Sequence, residues 1–101
     1  MTSLTSKQRA HLRSLANRLK PVIQIGAGGL TDAARHGLLE AFNTRELLKL
    51  KVLESAPESA REMADRIVAE MKDIHVAQTI GRTVVLYRRH PDKPEIRFPK
   101  S

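Results

Sequence analysis

The sequence has no cysteine. That excludes a disulfide framework, a thiolate metal site and a cysteine nucleophile, and it fits a reducing compartment. Aromatic side chains are nearly missing, Phe42, Tyr87 and Phe98 being the whole set. Readers that stack nucleobases need exposed rings. Phe42 reads as core and Phe98 as a tail anchor, which leaves Tyr87 alone, so backbone and shape recognition is expected rather than base-by-base readout. No apolar run reaches the about 20 residues needed to cross a bilayer, and no membrane partner is expected. Met1 to Lys7 lacks the apolar segment of a secretory signal. His11, His36, His75 and His90 show no metal-ligand spacing. The serines and threonines lack a nucleophile elbow, and both G-x-x-x-x-G-K-[ST] and G-x-G-x-x-G are absent. No catalytic residue, metal ligand or cofactor is therefore read, and no enzyme activity is expected.

What the chain has is positive charge. Its 101 residues suit a single domain, with a core over 4–90 and a tail over 91–101. The formal net charge is +7. Residues 1–51 contribute +6, residues 54–73 contribute −3 and residues 74–101 contribute +4. Positive charge thus loads both ends and avoids one segment, a pattern that suits a phosphate-rich partner. A basic surface kept for solubility is the plain alternative.

Local patterns give an element order. Thr5 and Gln8 form a capping box ahead of a helix over 6–17, with Leu12, Leu15, Ala16 and Leu19 on one face. Lys20-Pro21 ends it. Val22 to Ile25 reads as a strand. Gly26, Ala27, Gly28 and Gly29 then fit G-x-x-G, and Thr31 or Asp32 caps a second helix to about Phe42. Its apolar positions are Ala33, Ala34, Leu38, Ala41 and Phe42, and Gly37 within it implies close packing on a neighbour. From Glu46 to Leu53 the pattern alternates, Leu48, Leu50 and Val52 against Lys49 and Lys51, as in a half-buried strand. Ser55 and Glu58, with Pro57, predict the start of a third helix carrying Ala60, Met63, Ala64, Ile67, Val68 and Met71. That helix holds the acidic excess, with Arg66 four residues after Glu62, and is expected to face away from a nucleic acid. Ile74 to Ile80 and Thr83 to Arg88 read as a hairpin with a type II′ turn at Gly81-Arg82. Ile96 and Phe98 are expected to anchor the tail to the sheet edge. The order α-β-α-β-α-β-β predicts an α/β fold of the two-layer α+β kind. Its four-stranded mixed sheet carries helices mainly on one face and leaves an open, basic second face.

The glycine loop suits close approach of another backbone, and the helix that follows offers free N–H groups to a phosphate. The candidate RNA-binding residues are Gly26, Ala27, Gly28, Gly29 and Thr31 with Lys20. Lys49, Lys51, Arg82, Arg88 and Arg89 would extend the positive surface from the loop across the sheet. Lys7, Arg9 and Arg13 recur on one side of the first helix. Each set of cations reads equally as a solvated face, and the loop as a plain tight turn.

Five pieces in order resemble the YhbY-type CRM domain of chloroplast RNA splicing and ribosome maturation. They are Leu4-Thr5-Ser6-Lys7-Gln8-Arg9 with Leu12-Arg13, then Leu19-Lys20-Pro21-Val22 leading into Ile25-Gly26-Ala27-Gly28-Gly29-Leu30-Thr31, then Glu46-Leu47-Leu48-Lys49-Leu50-Lys51, then Ile80-Gly81-Arg82-Thr83-Val84-Val85-Leu86-Tyr87-Arg88, and Ile96-Arg97-Phe98-Pro99. The resemblance implies an RNA-binding domain with a KH-like G-x-x-G loop and a fold similar to the C-terminal domain of translation initiation factor 3. It implies a bacterial stand-alone form that binds large-subunit ribosomal RNA in pre-50S particles; a cytoplasmic location is expected, and the oligomeric state stays open, with nothing in the sequence demanding more than a monomer. A factor docking on acidic ribosomal or translation proteins is the alternative. Many relatives carry a basic or polar residue inside the loop, whereas Ala27 and Gly28 offer neither. Phosphate contact there must use main-chain N–H groups, with charge from neighbours such as Lys20.

Overall fold

Three side-chain caps set where the helices begin. The structure, a computed structural model, describes residues 4–98; the first three residues and the tail's end, Pro99 to Ser101, lie outside the described residues. Thr5 Oγ1 accepts the Gln8 N–H at 3.1 Å and Gln8 Oε1 accepts the Thr5 N–H at 2.9 Å, closing the expected box on α1, Ser6–Ala16. Thr31 caps α2, Asp32–Ala41, through the Ala34 N–H. The third helix, α3, Ala60–Glu70, starts later than the Ser55–Glu58 spacing predicts, because Ser59 and Glu62 close the box instead. The residues ahead of it are held as a loop. Ala56 N–H bonds the Leu53 carbonyl at 3.0 Å, and Pro57 sits so close to Gly29 that a methyl group there would lie 3.1 Å from its ring.

The strands are β1, Pro21–Ile25; β2, Leu47–Val52; β3, His75–Ile80; and β4, Thr83–Tyr87. They lie in the order β1-β2-β4-β3. β1 runs parallel to β2, and β4 is antiparallel to both of its neighbours. Gly81 has φ +55° while Arg82 keeps a negative φ, as the type II′ turn requires.

The main core lies between the first sheet face and the α2–α3 layer. Ile25, Leu48, Leu50, Val52, Val84 and Leu86 pack under Leu38, Phe42, Met63, Ala64, Ile67 and Met71. Full burial of each large side chain contributes about 1.5–3 kcal/mol before the entropy of ordering it is counted. Leu48, Leu50 and Val52 point here, as their alternation predicts.

The second face departs from the expected open surface. α1 lies across it, with Leu12 and Ala16 on Leu47, Ala77, Val85 and Tyr87, and Ile96 and Phe98 of the tail join that cluster. The reason is in β4. Val84, Val85, Leu86 and Tyr87 are all buried, so this strand is apolar on both faces and both must be covered. Only the part of the face around Lys49 and Lys51 stays accessible, Lys49 half-buried and Lys51 exposed. The α1 face is also narrower than expected, since Leu15 and Leu19 are 40% and 37% exposed.

Gly37 does not pack closely on anything; a methyl group there meets no atom within 4 Å. Gly37→Ala should therefore raise stability by about 0.5–1 kcal/mol, the helix-interior cost of glycine. A thermal unfolding midpoint no higher than that of the unsubstituted protein would count against this.

Candidate nucleic-acid interface

Topology gathers three loops at one end of the sheet. The parallel pair β1 and β2 finish together, and the β3–β4 turn returns to the same end. The Leu53 N–H bonds the Ile25 carbonyl at 2.8 Å and the Val52 N–H bonds the Arg82 carbonyl at 2.8 Å. The glycine loop, the 53–59 loop and the hairpin turn are thereby tied into one platform.

Within it the glycine loop is a tight turn closed by the Gly29 N–H on the Gly26 carbonyl at 2.9 Å. Gly29 has φ +68°, a left-handed conformation that favours glycine. Gly26 and Gly29 face inward, toward Leu53, Ser55 and Pro57. Ala27 and Gly28 form the exposed tip. Among the described residues their N–H groups meet no protein acceptor. Beside them the first turn of α2 adds unbonded donors, as any helix start does. One feature opposes an anion there: the Asp32 carboxylate is fully exposed in that turn, partly offset by Arg35 at 3.1 Å.

The structure separates the predicted cations. Lys51 pairs in register with Gln24, two residues short of the loop, and Lys49 pairs with Pro21. Both lysines and Lys20 have no acidic partner among the described residues. Lys20 precedes β1 and so stands a full strand away from the loop, about 20 Å at the usual strand rise, beside Lys49 rather than beside Gly26. Arg82 is at the loop end and pairs loosely with Glu54 at 3.3 Å, an exposed contact of small worth. Arg13 is exposed in the last turn of α1. Thr31 is occupied as the α2 cap.

Lys7, Arg9, Arg88 and Arg89 belong to the opposite end. Arg9 Nη1 bonds the Leu4 carbonyl at 2.8 Å, and Gln8, Tyr87, Arg88, Arg89 and Phe98 line one cavity at the start of α1. A single surface running from the loop through Arg88 and Arg89 is interrupted by α1 and the tail. Tyr87 is buried, edge-on to Phe98 with ring centroids 5.5 Å apart, and offers no face for stacking. Its burial, with the nearby Glu46 charge, raises its phenol pKa.

The acidic helix shares the first-face layer with α2, away from Lys49 and Lys51. Its charges are largely matched. Arg66 pairs with Glu70 at 2.5 Å and Glu58 at 2.7 Å, and Arg35 also reaches Glu70. The predicted Arg66–Glu62 pair does not form, because Glu62 accepts the Ser59 N–H. Hydrogen bonds from Arg66 and then Arg35 hold the Glu70 carboxyl below its ordinary pKa.

Sequence reasoning missed Glu46. It is the one buried charged side chain among the described residues. Its carboxylate accepts the main-chain N–H groups of Ile96 at 2.6 Å, Glu95 at 2.7 Å and His90 at 2.8 Å, locking the tail over the second face. Nothing local in Glu46-Leu47-Leu48 signals partners more than forty residues away. No helix among the described residues is long and apolar enough to cross a membrane.

Residues 4–88 match the model of the CRS1/YhbY (CRM) domain. The chain is 38% identical to the Probable RNA-binding protein YqeI of Bacillus subtilis, over 95% of this chain and 99% of that one. It is also 38% identical to a Haemophilus influenzae protein named RNA-binding protein, over the full length of both. The solution structure of the hypothetical protein SAV1595 from Staphylococcus aureus superposes with a TM-score of 0.78 at 34% identity, covering 95% of this chain and 99% of that one. Fold and element order agree with these matches, and the chain belongs to the CRS1/YhbY (CRM) domain family.

Proposed function

We propose that this protein binds RNA, holding a backbone phosphate at the Ala27 and Gly28 N–H groups and passing the adjoining strand over Lys51 and Lys49 toward Lys20. The observation that carries the reading is the exposed loop tip. Among the described residues its two donors lack a protein acceptor and stand at the sheet end where Lys51 has no acidic partner. The names of the Bacillus and Haemophilus relatives support RNA as the ligand class. The resemblance to ribosome-maturation domains extends the proposal to large-subunit ribosomal RNA in assembling cytoplasmic particles.

Charge neutralisation should dominate affinity. If Lys20, Lys49, Lys51 and Arg82 each neutralise one phosphate, log K falls against log salt with a slope of about −3, using about 0.7 per contact on single strands. Binding followed by fluorescence anisotropy should then weaken about fiftyfold between 50 and 200 mM salt. A nearly flat profile would overturn the electrostatic clamp. For the ribosomal target, the protein is expected to sediment with large-subunit particles on a sucrose gradient, and to leave them when the loop carries Ala27→Asp. Complexes that survive nuclease treatment would point instead to an acidic protein partner. Gly28 is the poorer site for this test. A Cβ there would lie 3.1 Å from Thr31 Cγ2, in the residue that caps α2.

A further inference from the structure

A cleft of about 200 Å3 lies between the C-terminal end of α1 and the β3–β4 hairpin. We propose that it holds one unpaired base of the bound RNA and reads the base edge through the side-chain amides of Asn17 and Gln78. This inference rests on the RNA-binding reading above and adds a base-specific contact to it.

The chemistry of the walls carries the proposal. Asn17 and Gln78 each bring a donor and an acceptor, and Thr83 brings a hydroxyl. Among the described residues none of these three side chains has a hydrogen-bond partner. Ile80 supplies an apolar surface beside them and is 58% exposed, the most exposed large hydrophobic side chain among the described residues. A planar heterocycle with a polar rim answers both needs, covering the aliphatic surface and pairing with the amides.

Charge selects the occupant. Lys49 lines the cleft and no carboxylate does. Three larger cavities each contain at least one acidic side chain, Asp65 and Asp73, Asp73 alone, or Glu46 and Glu95. The cleft thus suits a polyanion, and its volume lies below the about 300–1,000 Å3 usual for a whole drug-sized ligand. The RNA contributes a base from a single strand, since a base edge is not free to enter a cleft from within an A-form helix. Position agrees with this. Lys49 and Lys51 stand on the same face of β2, so a strand leaving the glycine loop over Lys51 reaches the cleft one side-chain row later.

The test is competition binding of the full chain to labelled single-stranded octamers of rA, rC, rG and rU, and to a duplex of the same length. The unsubstituted protein is expected to prefer single strands and to favour one base over the least favoured by about tenfold or more, the scale of a good amide–base pair. Gln78→Leu and Asn17→Ala should each flatten that preference while the weakest octamer binds as before. Lys49→Gln should weaken all four octamers together. Unchanged circular dichroism and melting of the variants separate loss of readout from loss of fold. Equal binding of all four octamers by the unsubstituted protein, or a preference that survives Gln78→Leu and Asn17→Ala, would overturn the base site and leave RNA binding standing. Failure of the unsubstituted protein to bind any of the RNAs would overturn both.

Discussion

Ala27→Asp is expected to weaken RNA binding about tenfold and leave the melting temperature unchanged. Ala27 is at the exposed tip of the glycine loop, and its N–H has no protein acceptor among the described residues. A phosphate bonded there would stand about 6 Å from a carboxylate at this position. Two like charges at that distance repel by about 0.7–3 kcal/mol for effective dielectric constants between 80 and 20, and 1.4 kcal/mol is a factor of ten. The sign of the charge is the control. Ala27→Lys should tighten binding by a similar factor and steepen the salt dependence, whereas Ala27→Ser should do little. Asp32→Asn should also tighten binding, by removing the exposed carboxylate in the first turn of α2. Anisotropy titrations at fixed low salt measure all four. If Asp and Lys at position 27 act alike, the tip is not where the phosphate binds, and the cations on β2 must carry the contact.

Much of this was legible in the sequence because it is local. The Thr5–Gln8 box, the alternation of Leu48, Leu50 and Val52 with two lysines, and the glycine turn at Gly81 each need only a few neighbouring residues to specify them. Ser55–Glu58 has the spacing of a capping box, but the box closes at Ser59–Glu62, after a turn that ties Ala56 back to Leu53. The other failures share a cause in long-range contacts. Lysines at 49 and 51 suggested an open face, yet the composition of β4 already required a cover on both sides, which α1 and the tail provide. Of the predicted cations, Lys49 and Lys51 share the uncovered part of the sheet, while Arg88 and Arg89 lie at its other end. The cleft was invisible for the same reason, since Asn17 and Gln78 meet only when α1 crosses β3.

Glu46→Gln is expected to lower stability by about 2 kcal/mol, and Glu46→Ala by about 3, because each removes acceptors from part-buried main-chain donors. For a domain of this size the smaller change is a drop of about 8–16 °C in melting temperature. Three N–H groups converge on the native carboxylate, and a glutamine amide presents its own hydrogens to at least one of them. Ile96 and Phe98 should then leave the second face, opening the bond after Arg97 to trypsin. The pH dependence has a definite sign. Burial raises the Glu46 pKa, but the bonds from Ile96, His90 and Glu95 and the His90 ring together outweigh it, so the folded value lies below the ordinary 4.5. A depressed folded pKa gives stability that is complete above the unfolded value and lost as pH falls through the folded one. Melting temperature should therefore fall more steeply with acid in the native protein than in Glu46→Gln, starting near pH 4.5 and continuing below it. Glu62 and Glu70 also have lowered pKa values, but they act alike in both proteins and cancel in the comparison. Parallel melting curves across this range, or a tail as trypsin-resistant as before, would mean that apolar packing of Ile96 and Phe98 holds the strap without the carboxylate.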